Sequence, residues 1–178
     1  MKLKFFQYMF LFVLINAIHL RSYAADVMVS INGALRDQNC NVNSEDLTKN
    51  VVFSDLNTSA FKAPGNVSNK EEIDIGLDCL GTSSNISYQF TGEANELDPT
   101  LLKIKGQPDM SEPLAQGLAI EILDDKGNRI PLNTKLALGS PVTTEKYNLK
   151  FFLQYRAVAV PVAAGDASSV LFLDMYYD

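Results

Sequence analysis

The chain closes on Ser169-Val170-Leu171-Phe172-Leu173-Asp174-Met175-Tyr176-Tyr177-Asp178, and the reading of this stretch decides the fold. Leu171, Leu173, Met175 and Tyr177 alternate with Phe172, Asp174 and Tyr176, the period-two pattern of a strand with one face on a core. No further strand follows. In a sandwich such a strand is expected to leave one edge open, and a long apolar edge aggregates unless something covers it.

Working back along the chain, period two dominates. Leu149, Phe151, Leu153 and Tyr155 form one row, with Lys150, Gln154 and Arg156 opposite. Leu118, Ile120 and Ile122 form another; Ile86, Tyr88 and Phe90 a third; Ile73, Ile75, Leu77 and Cys79 a fourth. Each predicts a half-buried strand, one face to a core and one to water. Turn signals separate them: Ala63-Pro64-Gly65-Asn66, Gly81-Thr82-Ser83-Ser84-Asn85, and Asp124-Asp125-Lys126-Gly127-Asn128, which reads as a hairpin tip. Residues 54–62 fit one short helical turn, and no longer segment carries a helical stripe. Short strands at this spacing predict an all-β sandwich.

At the other end, Lys2 and Lys4 precede an apolar stretch, and Ser22-Tyr23-Ala24 sets small residues at the positions a signal peptidase reads. Residues 1–24 are therefore expected to be a secretory signal peptide. The apolar stretch is too short to span a bilayer, which takes about 20 residues. Cleavage leaves 154 residues, one domain by length, and lowers the net charge from −6 to −9. So acidic a chain is poorly suited to a phosphate backbone, and no nucleic-acid partner is expected. The single histidine, His19, leaves with the signal peptide. Ser-His-Asp and Cys-His catalysis and His-ligated metals go with it.

In an oxidising compartment the two cysteines, Cys40 and Cys79, most simply pair. The alternative, free catalytic thiols, lacks a His partner or a CxxC spacing. Glu71, Glu72, Asp74 and Asp78 could suggest paired-acid hydrolysis, but read better as the solvent face of one strand. The acids of 124–128 lack the ligand spacing of a calcium loop. Sequons occur at Asn57, Asn66 and Asn85 and bear on function only in a host that glycosylates. No catalytic residue, metal site or cofactor is expected.

Residues 25–35 form a separate alternating arm: Val27, Val29, Ile31, Gly33 and Leu35 fall on one side, Asp26, Met28, Ser30 and Asn32 on the other. Arg36-Asp37-Gln38-Asn39 then breaks the pattern. An arm in search of a groove and a groove lacking a strand suggest one chain filling the next.

These two ends resemble the chaperone–usher pilins of bacterial surface fibres, and most closely the minor, adapter-type subunits of type 1-like fimbriae. The resemblance runs through Ala25-Asp26, the arm, Gly33 and Arg36-Asp37-Gln38-Asn39-Cys40-Asn41-Val42. It continues through Gly117-Leu118-Ala119-Ile120, Ile130-Pro131-Leu132-Asn133 and Val160-Pro161-Val162-Ala163-Ala164-Gly165. Gly165, fourteenth from the end, and the penultimate Tyr177 match the family's C-terminal signature. Asp174 departs from it, since the family usually has a small or uncharged residue there.

The resemblance implies an immunoglobulin-like sandwich lacking its last strand, over residues 36–178, preceded by a donor-strand extension, residues 25–35. Val27, Val29, Ile31, Gly33 and Leu35 would plug a neighbour's groove, with Gly33 at a shallow subsite. Gly165, Leu171, Leu173, Met175, Tyr177 and Asp178 would belong to this chain's own groove and last strand, the Asp178 carboxylate being held by basic chaperone residues. The implied function is structural, in an adhesive fimbria on the cell surface. The implied partners are a periplasmic chaperone, an outer-membrane usher and neighbouring pilin subunits. A self-contained secreted β-sandwich binding module, its arm paired in its own sheet, is the alternative.

Overall fold

In a computed structural model, the structure describes residues 40–54, 56–79, 85–108 and 112–177. The signal-peptide region, the arm, Gly81-Thr82-Ser83-Ser84 and Asp178 lie outside the described residues. The described residues carry nine strands and two short 3-10 turns, Ser44–Asp46 and Thr58–Ala60. The second turn falls within 54–62, where the sequence admits one.

The larger sheet contains β1 (Cys40–Val42), β2 (Glu71–Cys79), β8 (Lys146–Ala157), β5 (Leu118–Leu123) and β4 (Leu102–Lys103) in that spatial order, with β6 (Arg129–Ile130) also on β5. The smaller sheet is β7 (Leu136–Ala137), β3 (Ile86–Thr91) and β9 (Phe172–Tyr177), with β3 central. All of these strand pairs are antiparallel. The core fills the space between the sheets, as the alternation requires: Ile75 and Leu77 from β2, Leu149 and Phe151 from β8 and Ile120 and Ile122 from β5 meet Ile86, Tyr88 and Phe90 from β3. Phe151 lies 4.9 Å from Phe90 and 5.3 Å from Tyr88, ring centre to ring centre, so aromatic contacts join the two layers.

Cys40 and Cys79 sit directly opposite each other in the β1–β2 register and are joined by a disulfide. The β5–β6 hairpin turns at 124–128. Gly127 takes φ +84°, a left-handed conformation that suits glycine. The Asp124 carboxylate accepts from the backbone N–H groups of Lys126 and Asn128, closing the turn on itself. The sequon Asn57 caps the second 3-10 turn through the Ser59 N–H, and Asn66 accepts from the Lys62 and Ala63 N–H groups.

Two expectations need correcting. First, β5 is buried on both faces, with no side to water. It lies inside the sheet, and its outer face carries Glu121, 1% exposed and roofed by Arg129 and Arg156. The Glu121 carboxylate accepts from Arg129 Nε at 2.5 Å, Gln154 Nε2 at 2.6 Å and Arg156 Nε at 2.8 Å. Burial alone would raise its pKa; Arg156, Gln154 and Arg129 outweigh that and hold it below the usual range. Second, Glu71 has the parity of Ile73, not of the other acids, and is half-buried. Glu72, Asp74 and Asp78 do share the outer face, where they meet Lys150, Asn148 and Lys146 across the β2–β8 ladder. That is a ladder of cross-strand pairs, and the acids are spent on it.

Candidate functional site

The site is an edge. β9 pairs with β3 through six residues, Ile86↔Tyr177 to Thr91↔Phe172. Among the described residues no strand pairs with its other side. β1 is likewise the outermost strand of the larger sheet. Between these two edges lies a cleft of about 530 Å³, lined by Asn41, Val42, Leu47 and the β9 residues 173–177.

The chemistry of the cleft follows from alternation. Leu171, Leu173, Met175 and Tyr177 turn towards the core and pack against it, yet each stays half-buried. On the facing bank Val42 also packs against the core. Val51 and Phe53 pack against the core as well, Phe53 4.6 Å from the Tyr155 ring. Leu47 stands 72% exposed at the rim. Two apolar banks flank a backbone edge that has no partner strand among the described residues, a shape that one extended strand would fit. Such a strand would supply the missing ladder hydrogen bonds and finish burying the side chains. The Tyr177 hydroxyl is shifted upward in pKa by burial, so it remains neutral at the groove end.

Of the residues the sequence singled out, the structure brings Leu171, Leu173, Met175 and Tyr177 together as one floor. It places Gly165 elsewhere. There the backbone crosses residues 113–115, tied by Asp166 N–H to Pro113 O at 2.8 Å and Ala115 N–H to Asp166 O at 3.0 Å. A Cβ on Gly165 would stand 2.1 Å from Pro113 O and 2.7 Å from Ala115 N, so only glycine fits. Asp166 holds this crossing through the N–H groups of Gln107 and Ser168. The donor residues Val27, Val29, Ile31, Gly33 and Leu35, and Asp178, lie outside the described residues.

The facing bank escaped the sequence reading. Val42 sits beside a cysteine in a three-residue strand, and Leu47 follows a 3-10 turn, so neither belongs to a row long enough to show a period. The signal available was position: they lie two and seven residues after Cys40, whose disulfide anchors this bank to β2.

A family model described as "Fimbrial protein" matches residues 29–178. The "Uncharacterized fimbrial-like protein YcbU" of Escherichia coli K12 is 33% identical over 97% of this chain and 96% of its own. The fold is similar to a subunit in a solved chaperone–usher pilus, with a TM-score of 0.63 at 20% identity, covering 87% of this chain and 97% of that one. It is also similar to the P pilus rod subunit PapA, with a TM-score of 0.59 at 18% identity, covering 79% and 99%. These matches account for a structural rather than a catalytic protein: the chain belongs to the fimbrial protein family.

Proposed function

We propose that the subunit polymerises by strand donation: each copy receives a strand into the cleft between β1 and β9 and offers its own residues 25–35 to the next. The observation that carries this reading is the half-buried row Leu171, Leu173, Met175 and Tyr177 beside an edge without a partner strand among the described residues. The arm supplies the complement. Val27, Val29, Ile31 and Leu35 are four large aliphatics on one side of an extended segment. At roughly 1.5–3 kcal/mol each, their burial contributes about 6–12 kcal/mol before ordering costs. Gly33 presents no side chain and suits a shallow subsite where one strand begins to replace another.

The remainder of the reading follows. Residues 1–24 direct export and are removed, residues 25–35 are the donor, and residues 36–178 are the pilin domain. In the periplasm a chaperone lends a strand to the same cleft and holds the Asp178 carboxylate with basic residues. An outer-membrane usher then exchanges that strand for the arm of the next subunit, of adapter type. The test is the thermal melt of oxidised residues 36–178, alone and with a synthetic peptide of residues 25–35 or of a neighbouring subunit's arm. A matching peptide is expected to raise Tm by many degrees. A domain that melts high and cooperatively alone, indifferent to every peptide, is a self-contained sandwich and overturns the proposal.

A further inference from the structure

Packing against the core accounts for one row of β9 and leaves its outer row, which also borders the cleft, unexplained. On the outer face stand Phe172, 62% exposed, then Asp174, then Tyr176, with Val170 exposed just ahead of them. Asp174 is half-buried between the two aromatic residues. Its Oδ2 accepts from the Thr91 hydroxyl at 2.6 Å, and Thr91 also accepts from Gln89 Nε2 at 3.2 Å. Tyr176 is capped by the Lys135 ammonium 4.4 Å from its ring centre. A carboxylate has about four acceptor sites, so capacity remains on Asp174 after Thr91. An acid between two aromatic residues at an open edge is placed to read whatever strand arrives, because residues directly opposite on one face of a sheet interact.

We infer that Asp174 selects the incoming strand by its outward-facing side chains, admitting uncharged hydrogen-bond donors at the position opposite and disfavouring acids there, and that the N-terminal arm of a second copy of this chain meets that requirement. The inference rests on the strand-donation reading. Its support is a register argument. If plugs 27–33 face floor residues 171–177, Ser30 lies opposite Asp174 whether the strands run parallel or antiparallel. If plugs 29–35 face the same floor, Asn32 takes that place, again in both directions. Ser30 and Asn32 both carry donors, a hydroxyl and an amide. Neither register brings Asp26, the arm's only acid, opposite Asp174. The departure from the family pattern at residue 174 thus pairs with the composition of the arm's outward row.

The test titrates the mature chain, residues 25–178 held at monomeric concentration, with fluorescein-labelled peptide 25–35. Variant peptides carry Ser30→Asp, Asn32→Asp, Ala34→Asp or Ile31→Asp. Ala34→Asp changes the same charge on the same row but never faces Asp174 in either register. Whichever of Ser30→Asp and Asn32→Asp sits opposite should bind roughly fivefold more weakly than Ala34→Asp. Asp174→Asn in the chain should remove that difference, and Asp174→Ser, used if the first variant melts below the parent, should do the same. Ser30→Asp and Asn32→Asp both behaving like Ala34→Asp, or a penalty that persists in both Asp174 variants, overturns the inference. Strand donation still stands in that case if the parent peptide binds and Ile31→Asp does not. A parent peptide that fails to bind overturns the inference; strand donation falls with it only if arm peptides of neighbouring subunits also leave the melt of residues 36–178 unchanged.

Discussion

Strands β5 and β9 are each six residues long, each alternate in their apolar residues, and differ in everything that surrounds them. β5 has strands on both sides and is buried on both faces, and its one acid is held by two arginines and a glutamine. β9 has a strand on one side among the described residues, and its core-facing row is half-covered. The comparison separates two jobs that the same pattern can do. A strand whose polar groups all find partners within the chain builds the scaffold. A strand with no partner on one edge among the described residues is where, under the proposed strand donation, another chain would complete the fold.

The first way to break this comparison is to release the bank that faces β9. Replacing both cysteines, Cys40→Ser with Cys79→Ser, opens a loop of 39 residues and should cost about 4 kcal/mol in the chain-entropy description, read by denaturant unfolding. It should also weaken binding of an arm peptide, because Val42 and Leu47 then lose their anchor to β2.

The next contrast sets two leucines side by side. Leu77→Ala, at a site 1% exposed, should destabilise the lone chain by about 3 kcal/mol. Leu173→Ala, on the half-buried floor, should cost only about 1 kcal/mol in the lone chain and substantially more once a strand is bound. Equal losses in the lone chain would mean that the floor is already covered.

A smaller effect is expected at the closed strand. Glu121→Ala leaves Arg129 and Arg156 without their shared carboxylate. A fully buried pair broken in this way costs more, but these guanidinium groups are partly exposed, so about 2 kcal/mol is expected in a melt. The smallest is its pH counterpart. Because Glu121 titrates lower in the folded chain than its usual value, its contribution is complete above that usual value and is lost as pH falls through the depressed folded one. Tm should decline over that acid range, and less steeply in Glu121→Gln.

Much of the architecture was legible because it is local. The rows at Ile73–Cys79, Ile86–Phe90 and Leu149–Tyr155 declare their inward face by period alone, and they form β2, β3 and β8. Leu173 and Tyr177 declared their core-facing row for the same reason. The rest depends on contacts distant in sequence. Glu121 is buried because Arg156, 35 residues on, reaches over it. Gly165 is obligatory because residues 113–115 cross its backbone. β4, β6 and β7 have two residues each, too few to show any period. Asp174 could be placed on the outer face by counting, but its Thr91 partner, 83 residues away, could not.

Hydrogen–deuterium exchange at the β9 amides tests the central claim most directly, in the mature chain at monomeric concentration with and without the arm peptide. The account predicts that the amides bonded to β3 are protected in both states, while those facing away from β3 exchange fast alone and become protected when the peptide is present. Amides on the far edge already protected in the lone chain, or still fast with the peptide bound, would contradict it.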